Sequence, residues 1–363
     1  MPEIWLNYGK TEVVLDIKAE NLEQKIDVEG KTLSDSEIES KLDELDISKP
    51  IELVVLNASK SVKKTLSILF SKYEKKSIPK PSILTTRRNL SVIKNFMPEH
   101  DSVSEFSNLM DFKPNLVFVG EIMFDGLFGF ETISTRLLKK FGNELMLSAY
   151  EKRKADLPCP GDSIESFEIA RKFTKKFEIT AIEIIGNENG ILDLSVGHPS
   201  KTSSLSKSFV SYATKNIERN RSIIISTGQE SNNETLGESL HSLWNCSKVI
   251  KNDGLAILLS ECKYGVGSEA INHFIDGRLN LNRLKKPSKY IDGMEDLLYL
   301  SEIQNKLQVG ILSVLPTFYT KKLNFVPFNG IKQVMDYILK TQGQKQKVQV
   351  ISDGASILLR ENS

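Results

Sequence analysis

The chain has 363 residues, beyond the roughly 250–300 at which a single core stops growing, so two domains are expected. It is 40% hydrophobic and 26% charged with a formal net charge of +1, which excludes a disordered, fibrous or strongly polyionic protein. No run of about 18 apolar residues is present, which argues against a membrane-spanning helix, and Met1-Pro2-Glu3-Ile4-Trp5 lacks the basic segment and apolar core of a signal peptide.

Residues 4–16 read as a β-hairpin, with Trp5-Leu6-Asn7-Tyr8 and Thr11 to Leu15 flanking the turn formers Gly9-Lys10. Asp35-Ser36-Glu37 opens a helix to about Leu45, its early acids favourable at the positive helix end. A strand at 51–56, a helix at 61–76, a strand at 82–84 and a helix at 89–95 follow. This alternation predicts right-handed crossovers and a mainly parallel sheet flanked by helices. Strand 115–119 leads into a Gly- and Phe-rich segment, helix 132–142, a loop at 154–163 and helix 164–176. Strands 179–185 and 190–196 form a second hairpin, and Gly197 to Ser204 reads as the linker between domains. The pattern then restarts with helix 204–218, strand 222–225, helix 235–250, strand 255–259 and helix 267–276. A charged stretch at 277–305, strand 308–315, helix 329–341 and a closing strand 347–352 complete the chain. The expected domains are 1–205, joined by the closing residues 346–363, and 206–345, both α/β.

Six short apolar runs end in polar, turn-forming clusters, among them Ile51–Leu56 into Asn57-Ala58-Ser59-Lys60 and Ser222–Ile225 into Ser226-Thr227-Gly228. Such runs suit strands buried on both faces, and ligand chemistry collects at their carboxyl ends. Charge is unevenly spread: residues 1–46 carry thirteen acids and five bases, whereas 57–94 carry ten bases and one acid. Two solvated surfaces that attract each other are the plain reading. The sharper reading is an anion site, because Lys60, Arg87 and Arg88 stand at strand ends. Nucleic-acid binding by this basic face is disfavoured, since it interleaves only Phe70 and Tyr73 among the bases.

Gly265-x-Gly267-x-x-Ala270 superficially matches a dinucleotide fingerprint. The acidic residue required about 20 positions later falls instead in Arg283-Leu284-Lys285-Lys286, so the glycines are read as letting a turn approach a neighbour. No P-loop, nucleophile elbow or His-Glu-x-x-His occurs. Four histidines (His100, His198, His241 and His273) offer little for a metal site or an imidazole relay, and only His241 comes from a helix that could border a site. Three dispersed cysteines, Cys159, Cys246 and Cys262, suit a reduced, cytoplasmic compartment.

In order and spacing these clusters resemble the nickel-pincer-dependent lactate racemase superfamily, as a divergent member. Asn57-Ala58-Ser59-Lys60 is similar to the family's Asp-x-Thr-Arg, and Thr85-Thr86-Arg87-Arg88 to its Gly-Thr-His-Arg. Gly120-Glu121-Ile122 with Gly129-Phe130, Ser226-Thr227-Gly228, Glu261-Cys262-x-x-Gly265-x-Gly267 and Val348 to Gly354 resemble later family segments. The resemblance implies two α/β domains facing across a cleft, an isomerase scaffold on which a nickel pincer nucleotide, tethered to a lysine, takes and returns hydride at a 2-hydroxy acid while two histidines exchange the proton. Here those two histidines fall on Arg87 and Asp125, the tethering lysine near Thr135, the nickel histidine near Tyr150-Glu151, and a second-domain lysine near Leu240-His241. The cofactor ligands are thus unmatched, and the cofactor and any metal are left unassigned.

The resulting expectation is a lactate-racemase-like protein whose cleft takes a small anionic molecule such as a 2-hydroxy carboxylate. Asn57, Ser59, Lys60, Arg87, Arg88, Ser226 and Gly228 are the expected ligand-binding residues. Asp125, if burial raised its pKa, and His241 are the catalytic candidates. A non-catalytic binding or regulatory protein on the same fold is the alternative, with no membrane partner and a homo-oligomer compatible with the sequence.

Overall fold

The computed structural model describes residues 3–97, 102–106, 115–228 and 230–362, so His100 lies outside the described residues. Two six-stranded sheets organise the chain. The first runs Gly190–Gly197, Thr180–Asn187, Leu116–Glu121, Glu52–Val55, Ser82–Thr85, Val103–Glu105 in spatial order. All its pairings are parallel except the hairpin of the first two strands. Every residue of Leu116–Glu121, near the sheet centre, is buried, as its unbroken apolar run predicts.

The second sheet is wholly parallel: Val326–Phe328, Gln308–Leu312, Ile250–Leu259, Asn220–Ser226, Val348–Ile351, Leu22–Ile26. The closing strand does not join the first sheet; it lies between Asn220–Ser226 and Leu22–Ile26, and a further strand, Leu358–Glu361, pairs with Thr214–Ile217. The N-terminal hairpin, Glu3–Tyr8 with Thr11–Asp16, also belongs beside the second sheet. Its Ile4, Leu6, Leu15 and Ile17 pack with Ile224, Ile257 and Val350. Each such side chain, fully buried, contributes about 1.5–3 kcal/mol of apolar transfer free energy.

Other expected elements also shift. The helix expected over 204–218 ends at Ala213, because its last residues extend to pair with the chain terminus. The expected linker is packed: Pro199–Thr202 is a short helix with Pro199, Thr202 and Ser203 buried, and Arg171 donates to the Ser200 carbonyl at 2.8 Å. The charged stretch 277–305 contains a buried helix, Met294–Gln304. Largest of all, one apolar core runs through both halves of the chain, joining Phe118 and Leu137 to Leu243, Trp244 and Tyr299. Phe124 stacks on Phe209 with ring centroids 4.2 Å apart within it.

The acidic and basic segments do meet. Helix Asp35–Lys41 lies against helix Lys60–Lys75, and Lys64 pairs with Asp35 at 2.8 Å, Lys75 with Glu39 at 2.8 Å and Lys72 with Asp43 at 2.6 Å. The Lys64 and Lys75 pairs, open to solvent, contribute little each, about 0–1 kcal/mol, whereas the Lys72 stem is buried between the helices with its ammonium on the exposed Asp43.

Candidate functional site

A cavity of about 500 Å³ opens where the carboxyl ends of both sheets converge. From the first sheet come Leu56-Asn57, after Glu52–Val55, and Thr86, Arg88 and Asn89, after Ser82–Thr85. From the second come Asn232 and Gly267-Ser268. Gly267, at φ +65°, is needed there, since a Cβ would lie 2.4 Å from the Thr235 side chain. Of the two glycines in the fingerprint-like segment, Gly267 thus serves close approach, whereas Gly265, with open space around it, serves a left-handed turn at φ +82°.

Three helices supply the chemistry. Helix Ile133–Phe141 begins at Thr132, whose side chain and that of Thr135 cap each other's backbone. Its Arg136, Lys139 and Lys140 are spaced i, i+3, i+4, which puts three cations on one face, and all three line the cavity. Helix Leu236–Cys246 begins at Thr235, which accepts from the Glu238 amide, and presents Glu238 and His241. Helix Met294–Gln304 starts after Gly293, in left-handed conformation at φ +75°, and presents Glu295 and Asp296 from its first turn.

Lys139 is the centre of this arrangement. Its Nζ lies 2.9 Å from Asp125 Oδ2 and 3.5 Å from Glu295 Oε1. Burial alone would lower the ammonium's pKa, but Asp125 and Glu295 carry it well above its ordinary value, so it stays charged. Glu295 is opposite in outcome. Burial raises its carboxyl, Lys139 opposes, and Asp296 and Asp125 add to the rise, leaving it at about 7. Tyr290 donates its hydroxyl to both Glu295 oxygens, at 3.1 and 2.9 Å. Burial also raises Asp296, which accepts the Trp244 indole N–H at 2.9 Å. Glu131 goes the other way: Arg136 and Lys139 overcome burial and hold it at about 2. Arg136 donates to Asn57 Oδ1 at 2.9 Å and to Glu131 at 3.2 Å, and Asn57 Oδ1 also accepts the Glu121 amide at 3.0 Å. Lys140 differs in kind. It donates to the Phe106 carbonyl at 2.5 Å and lies over the Phe106 and Phe141 rings, and burial lowers its pKa.

The sequence-predicted residues divide. Asn57, Arg88 and His241 line the cavity. Arg88 bridges the two halves of the chain, donating to Glu238 at 2.5 and 2.8 Å and to Glu234 at 2.8 Å. Lys60 and Arg87, expected to converge, are exposed and are not among the lining residues. Ser59 instead caps helix Lys60–Lys75 through the Val62 amide. Ser226 is buried, donates to the Asn7 carbonyl at 2.7 Å and accepts the Gly228 amide. For Asp125 the premise of a raised pKa is reversed. Burial pushes upward, but Lys139 and His241 hold the carboxyl below its ordinary value, and Oδ1 accepts the Leu127 and Phe128 amides at 2.7 Å each. Asp125 Oδ2 holds the Lys139 ammonium in place at 2.9 Å. His198 and His273 have structural roles, the first in capping the Ser200 amide and the second in an ion-pair position with Glu269 at 3.7 Å. Arg136, Glu131, Glu295 and Asp296 escaped sequence reading. The Gly293 stop followed by Glu295-Asp296 and an apolar run is a helix-start signal that could have exposed the last two.

Solved structures with this architecture are known. The lactate racemase apoprotein from Thermoanaerobacterium thermosaccharolyticum matches with a TM-score of 0.73 over 99% of this chain and 100% of that one. The fold is that of lactate racemase. Sequence identity is 15%, so the likeness is one of fold. A Thermotoga maritima protein also matches, with a TM-score of 0.66 and 9% identity over 92% of this chain and 100% of that one. No family model matches the sequence, and no curated protein matches it.

On this lactate-racemase-like fold, the residues at the implied cofactor positions do not fit a lysine-tethered nickel pincer. Thr135 spends its hydroxyl on capping, donating to the Thr132 carbonyl at 3.0 Å. Tyr150 is fully buried and donates to the Leu284 carbonyl at 2.7 Å, and Glu151 is exposed. Lys139, one turn beyond Thr135, is held protonated between two carboxylates, the opposite of what covalent attachment requires. Among the described residues, no group of three His, Cys, Asp or Glu side chains is placed to hold a metal ion. All three cysteines are free and buried, and no described helix is long and apolar enough to cross a membrane.

Proposed function

We propose that the cavity binds a small carboxylate of the 2-hydroxy-acid class, on a lactate-racemase-like fold without the paired imidazoles of active members. The observation that carries this reading is the placement of Arg136 and Lys140, one helical turn apart, on the wall of one small cavity. Arg136 has five N–H donors and commits two to Asn57 and Glu131, which leaves a fixed fork for a planar carboxylate. Lys140 makes no carboxylate ion pair among the described residues and feels only the more distant charge of Glu105, so a ligand would complete its charge. Glu295 and His241 supply acceptors and donors for the 2-hydroxyl. In this reading residues 1–205 and 206–345 approximate two units that meet at the cavity, with Leu22–Ile26 and the closing strand placed in the second sheet.

Calorimetric titration with a panel of 2-hydroxy carboxylates and their neutral diol counterparts tests the proposal. Carboxylates are expected to bind at least tenfold more tightly than the diols, and L-lactate is expected to remain unracemised. Equal affinity for acids and diols would sink the anion-site reading.

A second reading, one-sided acid–base chemistry, is favoured by Glu295. A carboxyl at about 7, beside a permanent cation and facing a ligand cavity, can give and take a proton near neutral pH. Under it, Glu295→Gln abolishes turnover of the bound hydroxy acid while leaving its binding within threefold. Turnover that survives this change would remove Glu295 from the chemistry.

A further inference from the structure

A second cavity, of about 370 Å³, opens beside the 154–162 loop and shares no lining residue with the first. Its walls divide by chemistry. Leu157, Pro158, Ile303 and Leu307 give an aliphatic side. Lys154, Arg219, Lys248 and Lys306 give cations, and Asp162 is the lining carboxylate. That carboxylate is shared three ways, with Lys154 at 3.2 Å, Lys248 at 3.6 Å and Arg360, just behind the wall, at 3.0 Å. One carboxylate cannot neutralise three cations, and Lys306 and Arg219 add to the excess.

Two guanidinium groups confirm the shortage of acceptors independently of charge counting. Arg219 donates Nη2 to the Ile250 carbonyl at 3.0 Å, yet its Nε is buried without an acceptor. Arg360 donates Nη2 to the Pro160 carbonyl at 2.7 Å, yet its Nη1 is likewise buried and unpartnered. Both atoms are shielded from the cavity, so these guanidinium groups act on a ligand there through their charge, which among the described residues no nearby carboxylate other than Asp162 answers. Burial and the neighbouring Arg360 also lower the Lys248 ammonium.

We propose that this pocket is a second anion site, built for a phosphate monoester that carries an aliphatic group. A phosphate monoester holds a charge of about −1.5 to −2 at neutral pH, which answers the surplus that Asp162 leaves. Lysines act on it as point charges and arginine as a directional fork. The aliphatic wall then takes the organic part. No aromatic side chain lines the pocket, so a stacked nucleobase is not the moiety it is shaped for.

Titration of the full chain with hexyl phosphate, inorganic phosphate and hexanol tests the assignment. Hexyl phosphate should bind at least tenfold more tightly than inorganic phosphate, and hexanol should show no binding. Lys154 and Lys248 have side chains 60% and 40% exposed, so a Lys154→Ala, Lys248→Ala double variant should keep its melting temperature. It should nevertheless lose hexyl phosphate affinity tenfold or more. Arg136→Gln, in the first cavity, should leave that affinity unchanged. The proposal is overturned if hexyl phosphate does not bind, if it binds no better than inorganic phosphate, or if the folded double variant binds as well as wild type. Loss of hexyl phosphate binding in Arg136→Gln alone would relocate it to the first cavity and also overturn the second site.

Discussion

The two cavities hold the same kinds of side chain in opposite states of balance. In the first, each lining cation but Lys140 is answered by an ion pair from within: Lys139 by Asp125 and Glu295, Arg136 by Glu131, and the more exposed Arg88 by Glu234 and Glu238. In the second, Asp162 alone faces several cations. A matched set of charges fixes geometry and separates pKa values, as with Glu131 at about 2 and Glu295 at about 7. It does not by itself stabilise the fold, because desolvation offsets most of the attraction. An unmatched set leaves its attraction for a ligand. The first cavity is organised for selectivity and proton handling, the second for capture of charge.

Removing the centre of the balanced set should have the largest effect. Lys139→Met strands Asp125 and Glu295 as buried carboxylates, and loss of one partner of such a group costs about 3–5 kcal/mol. The loss should shrink on acidification, as the orphaned carboxyls take up protons, and denaturant titrations at pH 5 and pH 8 would measure it. An equal loss at both values would mean that Lys139 contributes by packing alone.

A smaller effect should come from Glu183, buried in the first sheet with Oε1 accepting the Ile133 amide at 2.8 Å and with the Thr202 hydroxyl beside its carboxyl. Burial lifts this carboxyl from 4.5 to about 7. The folded state then holds a proton that the unfolded state has released, so stability should fall as pH rises from about 4.5 through 7. Glu183→Gln should flatten that slope, and an unchanged slope would assign it to Glu295 and its neighbours.

Arg88→Ala should change least. Its side chain is 40% exposed, so its bridge to Glu234 and Glu238 should contribute under about 1 kcal/mol to unfolding in urea. A larger loss would make that bridge, rather than the shared apolar core, what joins the two halves of the chain.

Much of the scaffold was legible in the sequence because parallel strands buried on both faces leave unbroken apolar runs. The cavity does lie at the ends of those runs. What stayed hidden has physical reasons. Leu22–Ile26 is a mostly exposed edge strand, so its side chains carry no apolar signal. Its partner in the sheet, Val348–Ile351, lies at the other end of the chain, and a parallel closing strand bears no mark of the sheet it will join. Helix Met294–Gln304 is buried on nearly all sides, so it lacks the amphipathic stripe that would have separated it from the charged residues before it. Among the cations, Lys60 and Arg87 stood out for their position at strand ends. Arg136 did not, because its role depends on a helix face brought from elsewhere.

That contrast gives the most direct test of the anion-site reading: titration of a 2-hydroxy carboxylate into wild type, Arg136→Gln and Arg87→Gln. A charge-assisted hydrogen bond contributes about 1.5–3 kcal/mol, so Arg136→Gln should weaken binding roughly tenfold or more, with Arg87→Gln unchanged. Weakened binding in Arg87→Gln together with wild-type affinity in Arg136→Gln would contradict the account and return the site to the strand-end cations.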